Sequence, residues 1–160
     1  MTDFGGSSAP GPGTVPWGEF WYLPMEVVRF GPGSLAKLPE EVDRLGGRRA
    51  FVITVPSLER SELLPRVRNL LGERLAGVFS GVRAHVPYGA VMECTMAAGG
   101  ASAELLVSFG GGGAIDTARA AALAIGEGVT TVAELEAFRA RYDRATGSTI
   151  PAPSGRSLPH

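Results

Sequence analysis

The run Leu105-Leu106-Val107-Ser108-Phe109 passes directly into the glycines Gly110 to Gly113, and an alanine-rich stretch follows without a break. This junction constrains the fold more than any other part of the chain. A short apolar run bounded by glycine reads as a buried strand, and Ile115 to Ile125 has strong intrinsic helix propensity. A strand that turns into a helix needs a parallel strand beside it to complete its unit. Ala50-Phe51-Val52-Ile53-Thr54-Val55, bounded by Arg49 and Pro56, supplies one. A continuous run of this kind suits a strand covered on both faces, as in a parallel sheet.

The alternation continues in both directions. Val27-Val28-Arg29-Phe30 reads as a short strand, turned by Gly31-Pro32-Gly33. Ser34 is placed to cap a helix in which Leu35, Leu38, Val42 and Leu45 recur at helical spacing, and Gly46-Gly47 ends it. Ser57 opens a second helical pattern through Leu63, Leu64, Val67, Leu70 and Leu71, with a break or restart expected at Pro65. Gly77-Val78-Phe79 reads as a strand, followed by a loop carrying His85 and Pro87 and by a helix over Tyr88 to Ala101. Thr131 can cap a last short helix through Phe138. The predicted fold class is α/β: an open, mostly parallel sheet with helices on both faces, spanning residues 19–145. Residues 1–18, rich in Gly, Ser and Pro, read as a disordered leader, and residues 146–160 as an extended, unpaired tail.

Charge and composition remove several functions. Lys and Arg total 15 against 16 Asp and Glu, a net charge of −1, so no basic face recommends a nucleic-acid partner. The longest apolar stretch, Ala120 to Ile125, is far too short to span a membrane, and no signal peptide is evident at the start. The single cysteine, Cys94, makes no internal disulfide and fits a cytoplasmic protein. With only His85 and His160 as histidines, and no Cys-His signature, Cys94 reads as a packed thiol.

The glycines carry the chemistry. A phosphate-binding turn between strand and helix needs backbone that approaches the ligand closely, which side chains obstruct. The helix that follows points its free N–H groups and positive dipole end at the phosphate. Gly110, Gly111, Gly112 and Gly113 are therefore the expected pyrophosphate turn, with the helix starting at Ala114-Ile115-Asp116. The spacing differs from the Gly-x-Gly-x-x-Gly fingerprint of an ordinary Rossmann loop. Asp116, expected in the first helical turn, has two readings. It stabilises the helix dipole, or its carboxylate turns to a part of the ligand other than the phosphate.

Val107-Ser108-Phe109-Gly110-Gly111-Gly112-Gly113-Ala114-Ile115-Asp116-Thr117-Ala118-Arg119 resembles the Gly-Gly-Gly-Ser-x-x-Asp-x-x-Lys motif of the iron-containing alcohol dehydrogenase family. Arg29 to Gly33, Phe51 to Leu58, and Val78 to Val82 with Pro87 are similar to the family's earlier segments in the same order. The resemblance implies a dinucleotide-binding α/β domain like that of dehydroquinate synthase, followed by a helical domain holding Fe2+ or Zn2+ through one aspartate and three histidines. It implies hydride transfer between NAD or NADP and a small-molecule alcohol, aldehyde or ketone. It places Gly110 to Gly113 on the pyrophosphate and Asp116 near the nicotinamide end.

Three positions depart from the motif. Gly113 replaces a serine, Arg119 replaces a lysine, and Val55 stands where many members carry an aspartate that accepts from the adenosine ribose. The maleylacetate reductase branch also lacks that aspartate, and Ser157-Leu158-Pro159-His160 is similar to that branch. No metal-ligand cluster is legible in the chain, so the expectation is a cofactor-binding amino-terminal part, inactive alone. A relative of dehydroquinate synthase or glycerol-phosphate dehydrogenase and a non-catalytic nucleotide-binding module stay open as alternatives. Glu19 to Tyr22 reads as an edge strand open to pairing, which leaves a homodimer available.

Overall fold

Ala50–Thr54 forms β1, a strand buried along its whole length, and everything else is arranged around it. The computed structural model describes residues 27–138, together with the backbone of Arg141–Asp143 and Ser148–Ile150. The expected leader, the edge strand at Glu19 to Tyr22 and the last residues of the tail lie outside these. Two strands, β2 (Leu75–Phe79) and β3 (Leu105–Phe109), flank β1 in the order β2-β1-β3, and both pairings are parallel. Side chains alternate along β1 between the two faces of this sheet. Phe51 and Ile53 join Cys94 and Ala98 from α4 (Tyr88–Gly100) and Ala118, Ala121 and Ala122 from α5 (Gly112–Glu127). Ala50 and Val52 join Val42 from α1 (Leu38–Arg44) and Leu64, Val67 and Leu71 from α3 (Leu63–Leu71). This is the two-sided parallel α/β sheet that the apolar runs predict.

Four local expectations need correction. Residues 27–30 form no strand: they pair with no described strand, and Val28 and Phe30 are 64% and 90% exposed. A ladder needs a partner, and local β propensity cannot supply one. Ser34 does not cap; Gly33, at φ 86°, precedes a 3-10 turn over Ser34–Lys37 with no side-chain cap. The interruption expected at Pro65 comes earlier, between α2 (Pro56–Glu59) and α3, and Pro65 sits in the first turn of α3. A missing N–H is tolerated there because first-turn donors have no intrahelical acceptor. Finally, Ser148–Ile150 is paired: as β5 it runs antiparallel to β4 (Arg141–Asp143). The β-branched Thr149 and Ile150 favour that extended state.

Two helix-end expectations hold. Gly46, at φ 74°, closes the helix before β1. Thr131 opens α6 (Val132–Ala137) with a capping box: its hydroxyl accepts from the Glu134 N–H, while Glu134 accepts from the Thr130 and Thr131 N–H groups. Those bonds, chiefly from Thr130, hold the Glu134 carboxyl below its ordinary pKa. Among the described residues, no helix is long and apolar enough to cross a membrane.

Cys94 is a core residue, as its surroundings of small side chains predict. It has no exposure, and burial pushes its thiol pKa up to about 12. Thiol reagents act on the thiolate, so the native protein is expected to resist Ellman's reagent at neutral pH and to react with one equivalent once unfolded. Rapid labelling of the folded protein, followed by absorbance, would contradict this burial.

Candidate functional site

The strands that meet at the sheet's centre send their chains in opposite directions. The chain leaving β1 passes through α2 to α3 on the Val52 face, and the chain leaving β3 enters α5 on the Ile53 face. Neighbouring parallel strands with diverging exits open a crevice at their carboxyl ends, where ligands of open α/β sheets bind. Thr54 ties the two strand ends together at that point. It is fully buried, lies opposite Phe109 in the ladder, and its hydroxyl donates to the Phe109 carbonyl at 2.7 Å. One residue further on, Val55 packs against the core and caps α2 with no polar side chain.

The glycine run divides differently from expectation. Gly110 and Gly111 make the turn, while Gly112 and Gly113 are already helical, so α5 begins two residues before Ala114. Packing carries the helix back that far: Ala114 is fully buried, and a Cβ on Gly113 would lie 3.5 Å from the Val82 side chain. Gly110 is required by the fold itself. Its φ is 155°, and a Cβ there would lie 3.2 Å from the Ala114 Cβ.

No such need explains Gly111 and Gly112. Gly111 has an ordinary extended φ of −90°, Gly112 is helical, and a Cβ on either would meet nothing within 4 Å. Glycine at such positions loses extra backbone entropy on folding and packs nothing in return. What it leaves is empty space in front of the helix N-terminus. The Gly111 carbonyl accepts from the Ala114 and Ile115 N–H groups, and among the described residues no hydrogen bond uses the N–H of Gly112 or Gly113. No side chain caps α5, and its first turn holds no acid. Among the described residues, the positive end of a 16-residue helix therefore has neither a side-chain cap nor a first-turn acid to offset it, at the carboxyl end of the sheet.

Residues 25–154 match the iron-containing alcohol dehydrogenase family. The chain belongs to that family. Maleylacetate reductase 2 of Cupriavidus pinatubonensis is 45% identical over 105 residues, 66% of this chain and 28% of that protein. Among solved structures, an iron-containing alcohol dehydrogenase from Thermococcus thioreducens superposes with a TM-score of 0.62 at 28% identity, covering 80% of this chain and 32% of the other. Maleylacetate reductase from Agrobacterium tumefaciens superposes with a TM-score of 0.53 at 27% identity, covering 82% and 38%. The chain thus spans between 28% and 38% of the length of these relatives.

For this iron-containing alcohol dehydrogenase family member, the structure brings most of the expected site residues together. Gly110 to Gly113 lie at the carboxyl end of β3, beside Val55 at the end of β1. Asp116 is not a first-turn acid: with α5 starting at Gly112, it falls in the second turn, exposed. Four residues past Gly112, its Cβ lies on the same helix face and leans back toward the N-terminus. Arg119 is exposed one turn further along. The hydroxyl of buried Thr117 donates to the Gly113 carbonyl at 2.7 Å, tying the second turn to the first.

Thr54 and Val82 are supporting residues that the sequence reading missed. A threonine ending an apolar strand is the only signal for the first, and nothing local marks the second. Among the described residues, no group of three or more His, Cys, Asp and Glu could hold a metal ion. These residues do not fit a metal.

Proposed function

We propose that the described residues form the nicotinamide-dinucleotide half of a metal-dependent reductase of this family. The observation that carries the proposal is the uncapped, acid-free start of α5, opened by glycines whose missing side chains serve no packing role. In this reading the N–H groups of Gly112 and Gly113 receive the pyrophosphate, Gly110 and Gly111 let it approach, and Asp116 turns toward the nicotinamide end of NAD or NADP. The cofactor, when bound, supplies the hydride. With Val55 in the ribose-facing position, no carboxylate opposes a 2′-phosphate there.

The identity to maleylacetate reductase 2 supports an unsaturated keto-acid, rather than a simple alcohol, as the substrate of the whole enzyme. Fe2+ or Zn2+ and most substrate contacts are assigned to a helical domain outside the described residues. The 160 residues alone are expected to bind NADH saturably, with ADP as competitor, and to oxidise no simple alcohol with or without Fe2+ or Zn2+. Folded protein that shows no binding up to millimolar NADH would reject the cofactor assignment. Turnover by these residues would reject the separate metal domain.

A further inference from the structure

Val27 to Phe30 is anchored along one side and bare along the other. Arg29 reaches Glu41 of α1 at 2.6 Å, and Val27 lines a groove with Leu38 and Glu41 of the same helix. The alternate residues, Val28 and Phe30, are turned to solvent, and no described strand pairs with the segment. This alternation is that of a strand with one face covered, a state that β-branched and aromatic residues favour. A single exposed apolar side chain needs no explanation. Two large ones, two residues apart on a segment fixed by an ion pair, form an apolar surface whose burial would stabilise the fold.

The sequence supplies a cover immediately upstream. Glu19-Phe20-Trp21-Tyr22 is mostly aromatic, and Leu23-Pro24-Met25-Glu26 links it to Val27. A four-residue hairpin loop is commonly built around a type I turn, and Pro24 stands at the turn position where proline is favoured. An antiparallel return through that loop sets Tyr22 opposite Val27, Trp21 opposite Val28, Phe20 opposite Arg29 and Glu19 opposite Phe30. Directly opposite residues share a face, so Trp21 falls on the side of Val28, with Phe30 as its diagonal neighbour. We propose that the bare side of Val28 and Phe30 is the docking surface for residues 19–22 of the same chain, which close on it as a β-hairpin with Trp21 over both side chains. The short link selects the chain's own segment over a separate partner, because it holds the two strands at high effective concentration.

Tryptophan fluorescence of the full chain tests it. In Trp17→Phe protein, Trp21 is the sole tryptophan, and its emission should be blue-shifted and shielded from acrylamide. Phe30→Ser, added to that background, changes a residue outside all three buried clusters, so the domain should stay folded by circular dichroism. It should nonetheless red-shift Trp21 to the emission of free tryptophan and raise its quenching constant several-fold. Met96→Ser, which removes another exposed apolar side chain, from α4, should leave Trp21 unmoved. A Trp21 already open to solvent in the parent, or one unmoved by Phe30→Ser, would overturn the docking. Sedimentation should give the parent and Phe30→Ser the same mass. A dimer that Phe30→Ser dissociates would assign the covering strand to a second copy and overturn the hairpin within one chain.

Discussion

Gly111→Asp is expected to reduce NAD(H) affinity about 100-fold or more while leaving the protein as stable as before, or slightly more so. The opposite signs follow from geometry. Gly111 occupies the position that precedes α5, in an extended conformation any residue adopts, with open space where a Cβ would go. Aspartate is among the best residues for that position, because its carboxylate accepts from the first-turn N–H groups and complements the helix dipole; replacing glycine gains a few tenths of a kcal/mol. Those are the same N–H groups the pyrophosphate is proposed to use. A fixed negative charge about 4 Å from a phosphate adds a repulsion of about 4 kcal/mol at a protein-surface dielectric. Gly111→Ala, neutral and small, should lose far less. Fluorescence titration with NADH and a thermal melt of the same samples decide the matter. Unchanged affinity in a folded Gly111→Asp protein would show that the turn binds no phosphate.

The fold was legible wherever a residue's own pattern forces its environment. Ala50 to Thr54 admits only a strand covered on both faces, and it is one. Leu105–Phe109 and Tyr88–Gly100 fall within a residue or so of their sequence readings. Failures came where a partner or a packing contact decides. Val27 to Phe30 has strand propensity without a described strand to pair with, and Ser148–Ile150 found one that composition did not reveal. The start of α5 was misplaced because helix propensity argues against Gly112 and Gly113, whereas burial of Ala114 and the approach of Val82 favour extending the helix through them. That shift altered the site's chemistry. It moved Asp116 out of the first turn and left that turn without an acid, which strengthens the case for an anion there. The positive φ of His85 (61°) and Val86 (44°) was invisible, since nothing in the local sequence demands a left-handed conformation.

Ile53→Ala is expected to cause the largest loss of stability, about 3–4 kcal/mol, lowering the melting midpoint by roughly 10 °C. Ile53 has no exposure, lies on the central strand, and shares its cluster with Val82, Ala118, Ala121 and Ala122. The small alanines of α5 bring that helix close to the sheet, so little is available to collapse into the space a truncated Ile53 would leave. The cavity term should therefore be near its full value. Ile53→Val, which removes one methyl group, should cost about 1 kcal/mol by the same reasoning. The cluster also includes Ala118 of α5 and Val82, which borders Gly113, so stability and the proposed cofactor binding are linked through it. A ligand that binds only the folded state at 100 times its Kd adds about 2.7 kcal/mol. Saturating NADH should accordingly restore most of the melting midpoint of Ile53→Ala, but should not shift that of Gly111→Asp, whose core is intact and whose turn is blocked. Calorimetric melts of both variants with and without NADH separate the two roles. Equal stabilisation of both by NADH would mean that the dinucleotide binds somewhere other than the glycine turn.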